Sequence, residues 1–207
     1  AKAIEANDID TLRVLLDEKF TTRHVSSEDV VSMLSLQMKR GFSVNEIWDS
    51  LHELCKKYEI PAFSSTYRGV ILEYLHREEP ENAEHILANL KAQNFALHFH
   101  HCTPIPLWYL NKWLASLEPS SGASDAEKKR LEEGFARTNE ELITSSVGPS
   151  AFYIRVVASL HPSAEFSRKF LDRAVTDRHT SNKVMFNFTK HQAGKFQRGI
   201  AIVNQLH

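Results

Sequence analysis

Residues 31–54, VSMLSLQMKRGFSVNEIWDSLHEL, and residues 67–90, YRGVILEYLHREEPENAEHILANL, carry one apolar pattern twice, 36 positions apart. Val31, Leu34, Met38, Ile47, Leu51 and Leu54 recur as Tyr67, Val70, Tyr74, Ala83, Leu87 and Leu90, and the steps of three and four within each set are helical. A period in the mid-thirties is what helix-turn-helix units produce when each buries a face that it cannot bury alone. The pattern predicts an all-α chain built as a helix-pair solenoid. Such arrays hold something far more often than they transform it.

Outward from this core, the same signals repeat. Leu12, Leu15, Leu16 and Phe20 give a helical face, so residues 2–7 and 9–19 read as a first helix pair. Ser26 or Ser27 caps a helix through about Lys39, with Glu28 and Asp29 suited to its N-terminal dipole and Gly41 closing it. Ser43-Val-Asn-Glu46 has capping-box spacing for a helix over 44–58, which Pro61 ends. Ser64-Ser65-Thr66 caps the next, 66–77, and 80–93 is its partner. Thr103-Pro-Ile-Pro106 reads as a break before an apolar helix containing Trp108, Leu110, Trp113, Leu114 and Leu117.

Pro119–Ser124 is a flexible stretch, and Ser124-Asp-Ala-Glu127 opens a charged, exposed helix with Leu131, Phe135 and Leu142 available for docking. Residues 150–160, 163–177, 180–191 and 194–206 read as four further helices, with Phe166, Phe170, Met185, Phe188, Phe196 and Ile200 facing inward. The expected organisation is therefore a helical-repeat subarray over 1–117, a linker and insertion over 118–148, and a basic helical subarray over 149–207.

The 207-residue chain is long enough for a sizeable core, and its 42% hydrophobic and 25% charged content is that of a folded globular protein. No stretch approaches the roughly 18 uninterrupted apolar residues of a membrane span, and no secretory h-region stands at the N-terminus. The opening AKAIEANDIDTLRVLLDEKF reads as part of a helix pair already under way, as expected for a segment of a longer protein. Cys55 and Cys102 make no disulfide framework and fit a reducing, intracellular compartment, with cytoplasm and mitochondrion both open. The net charge of −1 conceals an asymmetry: residues 150–207 hold nine basic side chains against Glu165, Asp172 and Asp177. A basic end on an acidic body is the footprint of an anionic partner, or of complementary charge between neighbouring elements.

Ser65-Thr-Tyr-Arg-Gly-Val-Ile71, followed by Ala83, Ile86, Leu87, Leu90 and Lys91, resembles a pentatricopeptide repeat. Tyr67 looks like that motif's aromatic, Ala83 its small residue and Leu90-Lys91 its closing pair. The unit before it, about 29–64, matches less well because Ile47 replaces the small residue, and tetratricopeptide repeats share the architecture. The resemblance implies a right-handed superhelical array of antiparallel helix pairs. It also implies RNA as partner, each repeat of that family presenting polar side chains to one base. Gly69 stands where the base-reading residue is expected, which implies contact without a one-repeat-one-base code, with Thr66 and Arg68 as nearby alternatives. RNA contact would then rest on phosphates and stacking at the C-terminal helices.

Candidate chemistry is sparse. His98-Phe-His100-His101-Cys102 is the only cluster of zinc-type ligands, and it lacks the second, spaced pair that metal sites have, so it reads as a polar loop end and no metal or other cofactor is expected. Phosphate-cradling, dinucleotide, nucleophile-elbow and zincin motifs are all missing, and Glu78-Glu79 and Glu132-Glu133 are ordinary surface pairs. The reading is a non-catalytic module without a small-molecule substrate. Its RNA-binding residues are Arg168, Lys169, Arg173, Lys183, Lys190, Lys195 and Arg198, with Phe152, Tyr153 and Phe186 as core. The competing reading is a protein-interaction scaffold or dimerisation module, with Trp108 and Trp113 at the partner surface.

Overall fold

A computed structural model of the chain describes residues 9–22, 24–61, 65–95 and 97–176. Among these residues the secondary structure is helical, with no strand. The helices expected over 2–7, 180–191 and 194–206 lie outside them. Two compact units follow one another, Ala1–Ile105 and Pro106–His207.

The first unit contains α1 (Ile9–Thr22), α2 (Ser27–Lys39), α3 (Val44–Lys57), α4 (Ser65–His76), α5 (Pro80–Ala92) and the single turn α6 (Phe99–Cys102). Local chemistry sets the starts. Ser26 Oγ accepts from the Asp29 amide while Asp29 accepts from the Ser26 amide, and Ser43 and Glu46 repeat this exchange, so two orphan donors are satisfied at each start. Pro80 sits at the first position of α5, where a missing N–H costs nothing.

The ends share one geometry. Phe42, Ile60, Glu79 and Phe95 each donate a backbone N–H to the carbonyl five residues earlier, on Gln37, Cys55, Tyr74 and Leu90. Between donor and acceptor stands a residue of positive φ: Gly41 (83°), Glu59 (55°), Glu78 (62°) and Asn94 (54°). These are four successive Schellman caps, each reversing the chain into the next helix.

The reversals place α1, α3 and α5 in one layer and α2, α4 and α6 in the other. Within the second layer the register is constant: Ser35 Oγ donates to Glu73 Oε1 at 2.6 Å and Arg77 Nη2 to the Met38 carbonyl at 3.3 Å, 38 and 39 residues apart. Across the first layer, Tyr58 donates to Asp17 at 2.8 Å and His85 Nε2 bonds Asn45 Oδ1 at 3.0 Å, 41 and 40 residues apart. Near-constant offsets mean that helices within a layer run parallel. The two α-helical pairs are therefore stacked in the same orientation, and every echoed apolar residue except Val31 is buried between the layers. A strip of Trp48, His52, Tyr67 and Phe95 rings, with centroids 4.3–6.3 Å apart, adds aromatic packing.

The second unit takes up most of α7 (Pro104–Leu117), then α8 (Asp125–Thr144), α9 (Ala151–Leu160) and α10 (Ala164–Thr176). Thr103–Pro106 is not a break. Pro104 and Pro106 fall in the first turn of α7, where backbone donors have no helical partner anyway. Residues 99–102, expected in a loop, form the turn α6. The segment 118–148 also does more than link, because α8 buries Leu131, Phe135, Leu142 and Ile143 within the unit.

Gly134 lets α8 approach α7, since a Cβ there would lie 2.6 Å from Cδ1 and 2.8 Å from Cζ of Tyr109. Tyr153 of α9 donates its buried hydroxyl to Asn139 Oδ1 of α8 at 2.7 Å. Trp113, Phe135, His161 and Phe166 gather around one point, His161 stacking on Phe166 at 3.8 Å. Phe152, expected in the core, is 63% exposed. The inward arc of α9 is filled by Tyr153, Ile154, Val157 and Ala158, which turns Phe152 and Val156 outward.

Candidate functional site

Lys169 and Arg173 of the basic stripe on α10 are ion-paired. Lys169 Nζ lies 2.7 Å from Glu165 Oε1 one turn earlier. Arg173 grips Glu140 of α8 with both guanidinium nitrogens, at 2.8 and 3.0 Å. Two ion pairs result, Glu165–Lys169 within α10 and the bidentate Arg173–Glu140, which joins α10 to α8. Lys169 and, more weakly, Arg168 hold the Glu165 carboxyl below its usual range. Arg168 itself is exposed. Lys183, Lys190, Lys195 and Arg198 lie outside the described residues, as does most of the basic excess: residues 177–207 carry five basic side chains against Asp177.

The two tryptophans part company. Trp113 is 7% exposed and faces Phe135 and His161 inside the second unit. Trp108 is half-buried, with Lys112 Nζ 5.7 Å from its ring centroid, close enough for a cation–π contact. Among the described residues of this unit, α9 exposes apolar surface at Phe152 and Leu160, and Phe152, Arg155, Val156, Ser159 and Leu160 line a shallow depression. Arg155 is the charged group in that strip.

Gly69 is a packing residue. A Cβ there would stand 2.6 Å from Val31 Cγ2 on α2, so the glycine sets how closely α2 and α4 approach. The neighbouring Thr66 is fully buried and cannot reach a ligand, whereas Arg68 is exposed.

Packing of α6 on α4 brings Arg68 near a cluster of imidazoles. The His98 and His100 rings are parallel with centroids 5.3 Å apart, and His100 and His101 are 4.2 Å apart. The His98 amide donates to His101 Nδ1 at 3.2 Å, which orients the turn. His98 and Phe99 are exposed, Phe99 by 51%. Burial, then the charges of His98 and Arg68, lower the proton affinity of His100. Among the described residues no group of three or more His, Cys, Asp or Glu side chains is arranged to hold a metal ion. Both cysteines are buried and reduced, and burial pushes the Cys55 thiol up to about 11 and raises that of Cys102. Neither is a thiolate near neutrality, so neither is activated as a nucleophile. No described helix is long and apolar enough to cross a membrane.

The chain matches no protein-family model, no curated protein and no solved structure.

Proposed function

We propose that this chain is a non-catalytic helical-repeat module, a right-handed superhelical array of helix pairs resembling pentatricopeptide repeats, that binds RNA. The observation that supports the array is the parallel stacking of α2/α3 on α4/α5 with four matching Schellman caps, the arrangement one repeat imposes on the next. The net excess of four positive charges over residues 177–207, together with exposed Arg168, supports an anionic partner. Gly69 packs against Val31, so contact rests on phosphates and stacking rather than on one base per repeat.

Fluorescence anisotropy of the whole chain with a labelled, mixed-sequence single-stranded RNA across a salt series tests the reading. Micromolar or tighter binding that weakens steeply with salt is expected. Silence even at low salt overturns it.

The α9 strip favours a second reading, a protein-interaction scaffold. Phe152, Val156 and Leu160 expose apolar surface around a cation, which suits an apolar helix bearing a carboxylate. Sedimentation of wild type against Phe152→Asp separates this from RNA binding if the partner is a second copy. Loss of a dimer without loss of RNA affinity would assign the strip to self-association.

A further inference from the structure

Arg68 of α4 and the turn His98–Phe99–His100 are 30 residues apart in sequence, yet α6 packs on α4 and brings Arg68 near enough to His100 for its charge to act on that imidazole. The first unit as a whole is acidic, so a local concentration of one guanidinium and two titratable imidazoles runs against its background charge. An exposed aromatic ring stands in the same patch: Phe99 is 51% exposed, and its neighbour His100 meets it edge to face at 5.6 Å. Aromatic faces beside cations are what single-stranded nucleic acid uses, a base stacking on the ring while the adjacent phosphate meets the charge. Core packing gives Phe99 no comparable role, since the α6 residues that are buried are His101 and Cys102.

We propose that Arg68, His98, Phe99 and His100 form a single-stranded RNA contact in which Arg68 meets a backbone phosphate and a base stacks on Phe99. The proposal rests on the RNA reading above but locates a contact in the first unit, apart from the basic C-terminal residues. The charges acting on His100 are His98 on its own turn and Arg68 on α4, while Lys91 of α5 acts on the adjacent Cys102.

The test uses the whole chain, one labelled mixed-sequence single-stranded RNA, and the variants Phe99→Ala, Phe99→Leu, Phe99→Trp and Arg68→Gln, each checked for helicity by circular dichroism. Phe99→Leu keeps apolar bulk and removes the π face, while Phe99→Trp keeps the face. Stacking contributes about 1–3 kcal/mol per base, so Phe99→Ala and Phe99→Leu should weaken binding by about fivefold or more, and Phe99→Trp should not. Arg68→Gln should lower the logarithmic salt slope by about 0.7, as expected for one phosphate contact on a single strand. Wild-type affinity and slope in Phe99→Leu and Arg68→Gln overturn this contact while leaving the RNA reading standing. Absence of binding by the wild-type chain overturns both.

Discussion

Val31 and Gly69 set the separation of the two stacked helix pairs: the Cγ2 of one lies 2.6 Å from where a Cβ on the other would stand. The close point falls at the head of a register that Ser35–Glu73 and Met38–Arg77 continue down the same two helices. Valine is branched at Cβ and cannot swing aside at little cost.

Gly69→Ala should therefore destabilise the first unit although alanine is the better helix former. Propensity favours the change by about 1 kcal/mol, and overpacking opposes it by about 1–3 kcal/mol. The net loss should disappear in Val31→Ala/Gly69→Ala, where the space is returned. Urea denaturation of the four-member cycle checks it, and additive effects of the two substitutions would show that the contact does not set the spacing.

The Schellman caps make a prediction of opposite sign. Glu59 holds a φ of 55° at a position where glycine is at ease, and its side chain is exposed. Left-handed backbone costs an L-residue roughly 1–2 kcal/mol, part of which glycine gives back through the entropy of its unfolded chain. Glu59→Gly should stabilise by roughly 0.5–1 kcal/mol. Gly41→Ala, with nothing within 4 Å of the added carbon, should destabilise by about 1 kcal/mol through backbone strain alone. Thermal melts of the two variants should shift in opposite directions.

Helix positions were legible because their signals are local. Ser26, Ser43, Gly41 and Pro61 act within a turn of themselves, and the structure places α2 and α3 within a residue or two of where those side chains predict. What depended on distant groups was not legible. Glu59 and Glu78 adopt the conformation of Gly41 without a glycine or asparagine to announce it, whereas Asn94 is a residue type that tolerates it. The α10 lysine and arginines read as bare cations, whereas Glu140, 33 residues before Arg173, is brought alongside only by the fold. Phe152 looked like core by residue type, yet its place on the wheel of α9 turns it to solvent. The meeting of Arg68 with the histidine turn has the same origin: each was visible as a residue, but their adjacency depends on α6 packing against α4.

The Asn139–Tyr153 hydrogen bond joins α8 to α9 inside the second unit, and the two residues are 4% and 0% exposed. Asn139→Ala leaves a buried hydroxyl without its acceptor, which costs about 1–3 kcal/mol. Tyr153→Phe leaves the amide oxygen unpaired at a similar cost. Asn139→Leu/Tyr153→Phe removes both polar ends, so its loss should be clearly smaller than the sum of the two single losses. Denaturant midpoints measure all three, and strict additivity would mean that the bond does not couple the helices.

Acid sensitivity should centre on His161. Its ring lies 3.8 Å from Phe166 and 5.3 Å from Trp113, and its Nδ1 accepts the Ser163 amide at 3.1 Å, which leaves the proton on Nε2. Burial lowers its proton affinity below the ordinary histidine value of 6.5. The unfolded chain therefore takes up a proton at higher pH than the folded one. Stability from this group is complete above about pH 6.5 and falls as pH drops through the unfolded value towards the folded one. His100 acts with the same sign in the first unit, for reasons of burial and then of its His98 and Arg68 neighbours. Asp17 and Asp29 also lose stabilisation on acidification, but their lowered carboxyl values place that loss below about pH 4, in a separate window. The urea midpoint of the wild type should fall between pH 7.5 and pH 5, and His161→Phe should flatten that fall even though it forfeits the Ser163 hydrogen bond. A variant that tracks the wild type across this range would remove His161 as the source, and an imidazole proton signal titrating at or above 6.5 would contradict its burial directly.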